Sequence, residues 1–306
     1  MSNGSYMREL IKNKVLYLMT LPGLLLILLF SYLPMGGLII AFKDYRFDKG
    51  VFGSAWSGLQ NFEFFFSSQD ALRVTFNTLY MNALFIVTGT VMSILCALLV
   101  IELKNKIGKK IIQTTLLLPY FISWVVVGYF VFALLNNQIG VVNQLLTRIG
   151  VGSIDWYSSP HYWPVILVLV SIWKNTGYSA IIYLAAIIGI NEEYYEAARI
   201  DGANRFQEVM KITLPLIAPI ISILTLIAIG KIFYADFGLF YNVPRNIGVL
   251  YSTTDVIDTY VFRALRNTGD IGMSSAVAFY QSTVGFVLVL FSNYIVRKIN
   301  PENSLF

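Results

Sequence analysis

An all-α, polytopic membrane protein with six transmembrane helices and both termini cytoplasmic is expected from three features of this chain. Of its 306 residues, 57% are hydrophobic and only 13% are charged, where an average soluble domain carries about 25% charged residues. Water is therefore not its main solvent. Six apolar runs of 20 or more residues recur along it, and about 20 residues rising ~1.5 Å each cross a hydrocarbon core of about 30 Å. Its lysines and arginines are densest in the short segments on one side of those runs, the pattern of the cytoplasmic face.

The first run, residues 15–41, is too long for a signal-peptide core, has no small-residue cleavage site and carries Pro22 and Pro34, so it reads as a retained anchor. The others cover residues 76–101, 111–135, 164–190, 212–238 and 273–296. Together they make residues 1–306 a single transmembrane domain with one charged loop at 191–211. Prolines inside the runs, Pro119, Pro215 and Pro219 among them, predict kinks. They do not refute helices, because neighbouring helices or side chains satisfy the carbonyls a proline frees.

For orientation, Arg8, Lys12 and Lys14 precede the first run, and Lys104, Lys106, Lys109 and Lys110 fill the tight turn after the second. Arg199, Arg205 and Lys211 lie in the charged loop, and Arg297 and Lys298 follow the last run. The basic residues of the other side, from Lys43 to Arg266, are spread over much longer loops. Density in short loops decides, so both ends and the charged loop are expected in the cytoplasm. The net charge of +5 thus follows a bilayer and does not point to nucleic acid. Cys96 is the single cysteine, so no intrachain disulfide is available. The single histidine, His161, adjoins Tyr162 and Trp163 and reads as an interfacial residue, with no metal spacing around it.

Several chemistries are excluded. No stretch matches G-x-x-x-x-G-K-[ST], G-x-S-x-G or H-E-x-x-H, so neither a phosphate-cradling loop nor a hydrolytic centre is written here. RIGVGSID, around Gly150 and Gly152, lacks a third glycine and a preceding strand and reads as a loop. No clear duplication relates the first three runs to the last three, which weakens an inverted-repeat transporter.

The charged loop reads NEEYYEAARIDGANRFQEVMK and runs on into ITLPLI. Asn191 is placed to cap a helix whose first turn holds Glu192 and Glu193, negative charge against the positive end of the dipole. That helix is expected to end near Ile200, with Gly202 in the left-handed conformation, before a second short helix over 203–211 enters the fifth run. Tyr194, Ala197, Ala198 and Ile200 are expected to share a small apolar face, with Glu192, Glu196 and Arg199 on the other side. An amphipathic helix lying on a membrane surface has the same shape. Leu214-Pro215 sets where the span begins, since proline is tolerated in a first helical turn.

The full register is more specific: Glu196-Ala197-Ala198, three residues, Gly202, nine residues, then Ile212-x-Leu214-Pro215. It resembles the signature of the permease subunits of binding-protein-dependent ABC importers, and each fixed position matches. The resemblance implies a type I ABC importer permease architecture in which a short coupling helix docks into a cytoplasmic ATPase through Glu196, Ala197, Ala198, Asp201, Gly202 and Ala203. It also implies a second permease subunit of similar fold, two ATPase subunits, an extracellular lipoprotein solute-binding protein and alternating access. No cofactor would be bound by this chain; ATP and Mg would sit on the ATPase, and the chain itself would be a transport subunit, not an enzyme. EAARIDGANRFQEVMKITLPLIAP and the tail DVIDTYVFRALRNTGDIGMSSAVAFYQSTVGFVLVLFSNYIVRK are similar to the carbohydrate-uptake branch, in particular to importers of oligosaccharides from polysaccharide breakdown. The maltose-type first permease has extra amino-terminal spans and a large periplasmic domain, for which residues 42–75 are too short, so maltose is not the expected solute.

Polar and ionisable residues inside spans are functional candidates, because a charge at the bilayer centre costs about 2.5 to 3.5 kcal/mol. Trp173, Lys174, Asn175 and Tyr178 in the fourth run, Lys231, Tyr234 and Asp236 in the fifth, and Tyr280 and Gln281 in the sixth are the candidate substrate pathway. Aromatic faces stack on sugar rings while amides and charges bond hydroxyls, which suits a neutral or mildly acidic saccharide. The aromatic members serve equally as helix–helix packing. Lys174 has no acid beside it in its run, so it is expected either to line water or to meet an acidic sugar. Phe42, Trp56 and NFEFFF are expected to form an interfacial aromatic belt, and segments 136–159 and 240–272 to form the lids that receive the binding protein. The alternatives are the same architecture carrying a non-sugar solute, an ion-gradient-driven transporter for which the charged loop would have no purpose, and a membrane scaffold or receptor.

Overall fold

The computed structural model describes residues 12–299; Arg8, used above for orientation, lies outside them. By internal contacts the chain divides into two compact units, Met1–Ser67 with Thr268–Phe279, and Ser68–Asn267 with Tyr280–Phe306. Among the described residues, five helices are long and apolar enough to cross a membrane, six if one sharply bent pair counts as a single span.

In the first unit, α1 (Lys14–Phe42) leaves nearly all of its apolar side chains exposed, as a helix solvated by lipid does. It carries Pro22 internally, and a π turn over Leu28–Tyr32 comes just before Pro34, where the missing N–H interrupts the regular ladder. A two-stranded hairpin follows, β1 (Lys43–Asp44) against β2 (Ala55–Trp56), with Lys43 opposite Trp56. The Lys43 ammonium ties its loop by donating to the carbonyls of Val51 and Phe52 at 2.8 and 3.2 Å. Phe42 then packs against Trp56, Phe62 and Phe279, and Phe65 of α2 (Gln60–Phe66) is buried. The expected aromatic belt is thus partly a local core, with Trp56 and Phe66 left exposed.

In the second unit, α3 (Gln69–Ile101) begins at Ser68, whose hydroxyl accepts the Ala71 amide. Asn105 opens α4 (Lys106–Leu117) by accepting the amides of Ile107 and Gly108. One span kinked at Pro119 was expected over 111–135, and the structure carries the kink through to a break. Leu118–Phe121 tightens into a 3-10 turn at Pro119, Ile122 is extended, and α5 (Trp124–Leu135) leaves at 98° to its predecessor. Proline cannot continue the ladder, and the Ser123 hydroxyl captures the Val126 amide, which starts a new helix where the old one failed.

The expected outer lid contains α6 (Val141–Arg148), followed by α7 (Trp163–Ile188) and the short α8 (Glu192–Ile200). The separate helix expected over 203–211 is instead the first turns of α9 (Arg205–Gly230), joined to it through a π turn at Val209–Thr213. α9 also stops short of the expected residue 238: the chain turns at Lys231 and restarts as α10 (Phe237–Asn242), capped by Asp236. α11 (Ile257–Thr268) and α12 (Ile271–Ile299) complete the described chain.

α3 and α7 pack along much of their lengths. Met81, Val127, Trp163, Leu167 and Phe240 belong to one apolar cluster, and Ala97, Tyr183, Leu184, Ile187 and Ile217 to another. Lipid tails are as apolar as leucine, so close packing and hydrogen bonds must hold such helices. Gly177 shows the first device, since a Cβ there would collide with the Leu116 carbonyl and push α7 off α4.

Candidate functional site

Two constellations stand out in the second unit. The first is the elbow formed by α8 and the start of α9. Asn191 accepts the Glu193 amide at 3.1 Å, as the N-cap role requires. At the other end Gly202 adopts φ +83°, and the amides of Gly202 and Ala203 return to the carbonyls of Arg199 and Ala198, the paired bonds of a Schellman C-cap. Asn204 and Gln207 then form a reciprocal capping box at 2.9 and 2.8 Å.

The elbow is braced from within. Glu208 is 4% exposed; its carboxylate receives Arg199 at 2.9 Å and Arg205 at 3.1 Å, and Arg205 also reaches Glu102 at 3.8 Å. The Tyr195 and Thr213 hydroxyls share a hydrogen bond at 2.9 Å. This corrects the expected division of faces. Tyr195 and Arg199 point inward, where with Glu192 and the end of α3 they line a cavity of about 420 Å³. Tyr194, Ala197 and Ile200 form the outward stripe, with Ile200 86% exposed. Glu196, Asp201 and Gly202 are exposed as well, while Ala203 is half-buried. A bare apolar stripe with a small residue at its centre, held on a rigid base, is a surface another protein can seat against.

The second constellation is a groove of about 450 Å³ between α3, α7 and the end of α9. It lies between the two apolar clusters, along residues 82–93 of α3 and 171–183 of α7. It brings together four of the expected pathway residues, Asn175, Tyr178, Lys231 and Tyr234. Tyr178 is stacked on Tyr120 with ring centroids 4.6 Å apart, and the Tyr234 hydroxyl bonds that of Ser282 at 2.7 Å. The residues unnoticed in the sequence are Asn82, Thr88, Thr90, Ser93, Ser171 and Ser179, which also line the groove. Their signal was a small, polar stripe recurring every three or four residues on two apolar helices.

Three of the other candidates, Lys174, Asp236 and Gln281, hold the backbone where spans are broken. Lys174 is 6% exposed, and its ammonium donates to the carbonyls of Pro119, Tyr120 and Ile122 at 3.2, 2.8 and 2.5 Å. It also faces the Trp124 ring at 5.1 Å. The expectation that it lines water or meets an acidic sugar is therefore corrected: Lys174 saturates the carbonyls released at the bend between α4 and α5, which have no water to turn to. Asp236 accepts the Trp124 indole N–H at 2.8 Å and caps α10 through the Leu239 amide at 3.2 Å. Gln281 is buried and donates to the Phe233 carbonyl at 2.7 Å, Asn82 donates to those of Ile232 and Tyr234 at 2.7 and 3.2 Å, and Asp258 accepts the Ala235 amide at 2.8 Å. Burial raises the Asp258 carboxyl above its ordinary range, opposed by that amide bond. Tyr280 packs edge-on to Phe233, while Trp173 is exposed outside the groove.

Residues 89–301 match the family described as the binding-protein-dependent transport system inner membrane component. Protein LplB of Bacillus subtilis (strain 168) is 36% identical over 298 residues, 97% of this chain and 93% of that protein. The polygalacturonan/rhamnogalacturonan transport system permease protein YteP of the same organism is also 36% identical, covering 96% of this chain and 91% of YteP. Among solved structures, a bacterial ABC transporter involved in the import of the acidic polysaccharide alginate superposes with a TM-score of 0.88 at 35% identity, over 97% of this chain and 99% of that one. A bacterial alginate ABC transporter in complex with an alginate pentasaccharide-bound periplasmic protein matches with a TM-score of 0.87.

Proposed function

This chain belongs to the binding-protein-dependent transport system inner membrane component family, and from that premise we infer that it is a multi-pass permease subunit of an ATP-driven importer of oligosaccharides in the bacterial plasma membrane. It carries no nucleotide site of its own kind in sequence; ATP, with Mg, is hydrolysed on a separate ATPase. The observation that carries the reading is the elbow: the E-A-A register folds as a short helix capped at both ends, a turn at Gly202 and the start of α9, braced by Glu208, with its apolar stripe bare.

The rest of the assembly follows from this premise. Two ATPases engage this elbow and that of a second permease of similar fold, an extracellular lipoprotein delivers the solute, and both termini lie on the elbow's side of the membrane, in the cytoplasm. When the ATPases close on ATP, a stiff elbow transmits their approach to α9 and α7. The solute passes along the groove of Asn175, Tyr178 and Tyr234, whose amide, hydroxyls and rings have the chemistry of sugar recognition. An ion-gradient-driven transporter would give such an elbow nothing to grip.

The decisive measurement is oligosaccharide uptake into proteoliposomes holding the complete complex. Uptake should require the loaded binding protein and internal ATP, and stop when vanadate traps the ATPases. Uptake driven instead by a proton or sodium gradient, with ATP absent, would overturn the reading.

A further inference from the structure

The groove contains one charged residue, and it has no counter-charge. Lys231 closes α9 with its backbone, and its side chain is exposed and makes no hydrogen bond or ion pair among the described residues. No aspartate or glutamate lines the groove. The acids near it in the chain are engaged elsewhere: Asp236 on the Trp124 indole and the α10 amide, Asp258 on the Ala235 amide. The other lysine of the region, Lys174, is taken up by three carbonyls. The carbonyl end of α9 favours a cation at this point, but it does not neutralise one.

Lysines near helix ends commonly reach for the interface, but this one lines a groove between helices, and an ionisable group lining such a groove is a candidate for a ligand pathway. Around it the groove offers Asn175, Ser171 and Thr90 for hydroxyls and Tyr178 and Tyr234 for ring faces. That is a saccharide site with one positive charge added.

We propose that Lys231 is the residue through which this permease selects acidic oligosaccharides, its ammonium pairing with a uronate carboxylate as the sugar passes the end of α9. The assignment rests on the reading of the chain as an oligosaccharide permease, and adds the charge of the solute and the group that reads it. Lysine suits the task. Its charge is compact and rides on a flexible stem, so it can follow a moving carboxylate and release it, whereas a bidentate grip would hold the solute in place. A neutral sugar gains nothing from this charge, so discrimination arises as a difference of affinities.

The test compares uptake of trigalacturonate with that of its uncharged methyl ester in proteoliposomes of the complete complex, for wild type, K231M, K231Q and K231R. Delivery by the binding protein is common to all four, so a change in the acid-to-ester ratio between variants reports on the permease. The ratio is expected to fall at least tenfold in K231M and K231Q and to lie between theirs and the wild-type value in K231R, which keeps the charge but releases the carboxylate more slowly. An unchanged ratio in the neutral variants overturns the proposal. So does an equal loss of both solutes, the result expected if an acid of the second permease is the true partner of Lys231. Transport of neither solute by the wild-type complex would instead count against the oligosaccharide reading itself. Should K231M fail to assemble, the ratio measured for K231Q decides in its place.

Discussion

Lys174 and Lys231 are both lysines in an apolar neighbourhood, yet they do opposite work. The first is buried against carbonyls and the second is exposed in a groove. Removing the Lys174 ammonium takes the donor from the Tyr120 and Ile122 carbonyls, each worth about 1 to 3 kcal/mol, while the Pro119 carbonyl keeps the Ile122 amide. Lys174→Met is therefore expected to destabilise the protein by about 2 kcal/mol or more, read as a lowered melting temperature in detergent, while the protein that survives transports acidic and neutral sugars in the wild-type proportion. Glu208 is a third charge whose role depends on its setting. Buried between Arg199 and Arg205, it is the strut of the elbow, so Glu208→Gln should insert and assemble yet lower binding-protein-stimulated ATP hydrolysis about tenfold, a coupling loss of ~1.4 kcal/mol. Full stimulation in that variant would show that the strut is dispensable. The sequence marked Lys174 and Lys231 alike as polar groups in spans. What separates them is whether carbonyls from another helix come within reach, which depends on contacts more than 50 positions apart.

Among the helices, α8 was legible almost to the residue, because caps act over three or four positions. Asn191 and Gly202 act locally, and both appear in place; the Asn204–Gln207 capping box is as local but was not singled out. Gly202→Asp forces a Cβ into the left-handed region at a cost of about 1 to 2 kcal/mol, so the variant should fold but lose coupling between ATP hydrolysis and uptake. Wild-type coupling in the purified complex would refute the docking role of the elbow. The breaks were legible only in part: Pro119 marked a kink, but neither its 98° size nor the end of α9 after Gly230 was marked. Hydropathy carries straight through residues 111–135 and 212–238, but the chain bends at Pro119 and turns after Gly230 because distant side chains receive the freed backbone groups. Gln281→Leu should leave the Phe233 carbonyl unpaired, displace the turn carrying Lys231 and Tyr234, and raise the KM for uptake several-fold with a loss of stability of about 1 to 3 kcal/mol. An unaltered KM would show that the turn holds without it.

The distribution of charges predicts the orientation of the whole molecule. In a C96S background, Ile149→Cys in the segment after α6 should react with a membrane-impermeant maleimide on intact cells, whereas Ile200→Cys on the elbow should react only after permeabilisation. The two positions are 73% and 86% exposed in the chain by itself, so in cells expressing it without its ATPase and binding protein, access to the reagent reports sidedness. The reverse pattern would invert the topology and remove the elbow from the ATPase. The same exposure runs along α1, whose apolar side chains are almost wholly uncovered, consistent with a helix whose solvent is lipid.

Composition, the length of the apolar runs and the resemblance carried by the E-A-A register were enough to indicate a multi-pass permease with a capped elbow between two spans, because hydrophobic length and helix capping are short-range properties of the chain. Which polar residues line the groove was decided only on folding. Asn175 and Lys231 meet in one groove, and Lys174 and Gln281 turn away to satisfy backbone. The physical reason is the hydrocarbon solvent: it leaves no buried carbonyl unpaired without penalty, so the breaks in the helices claim their partners first, and other polar groups are left to line the groove.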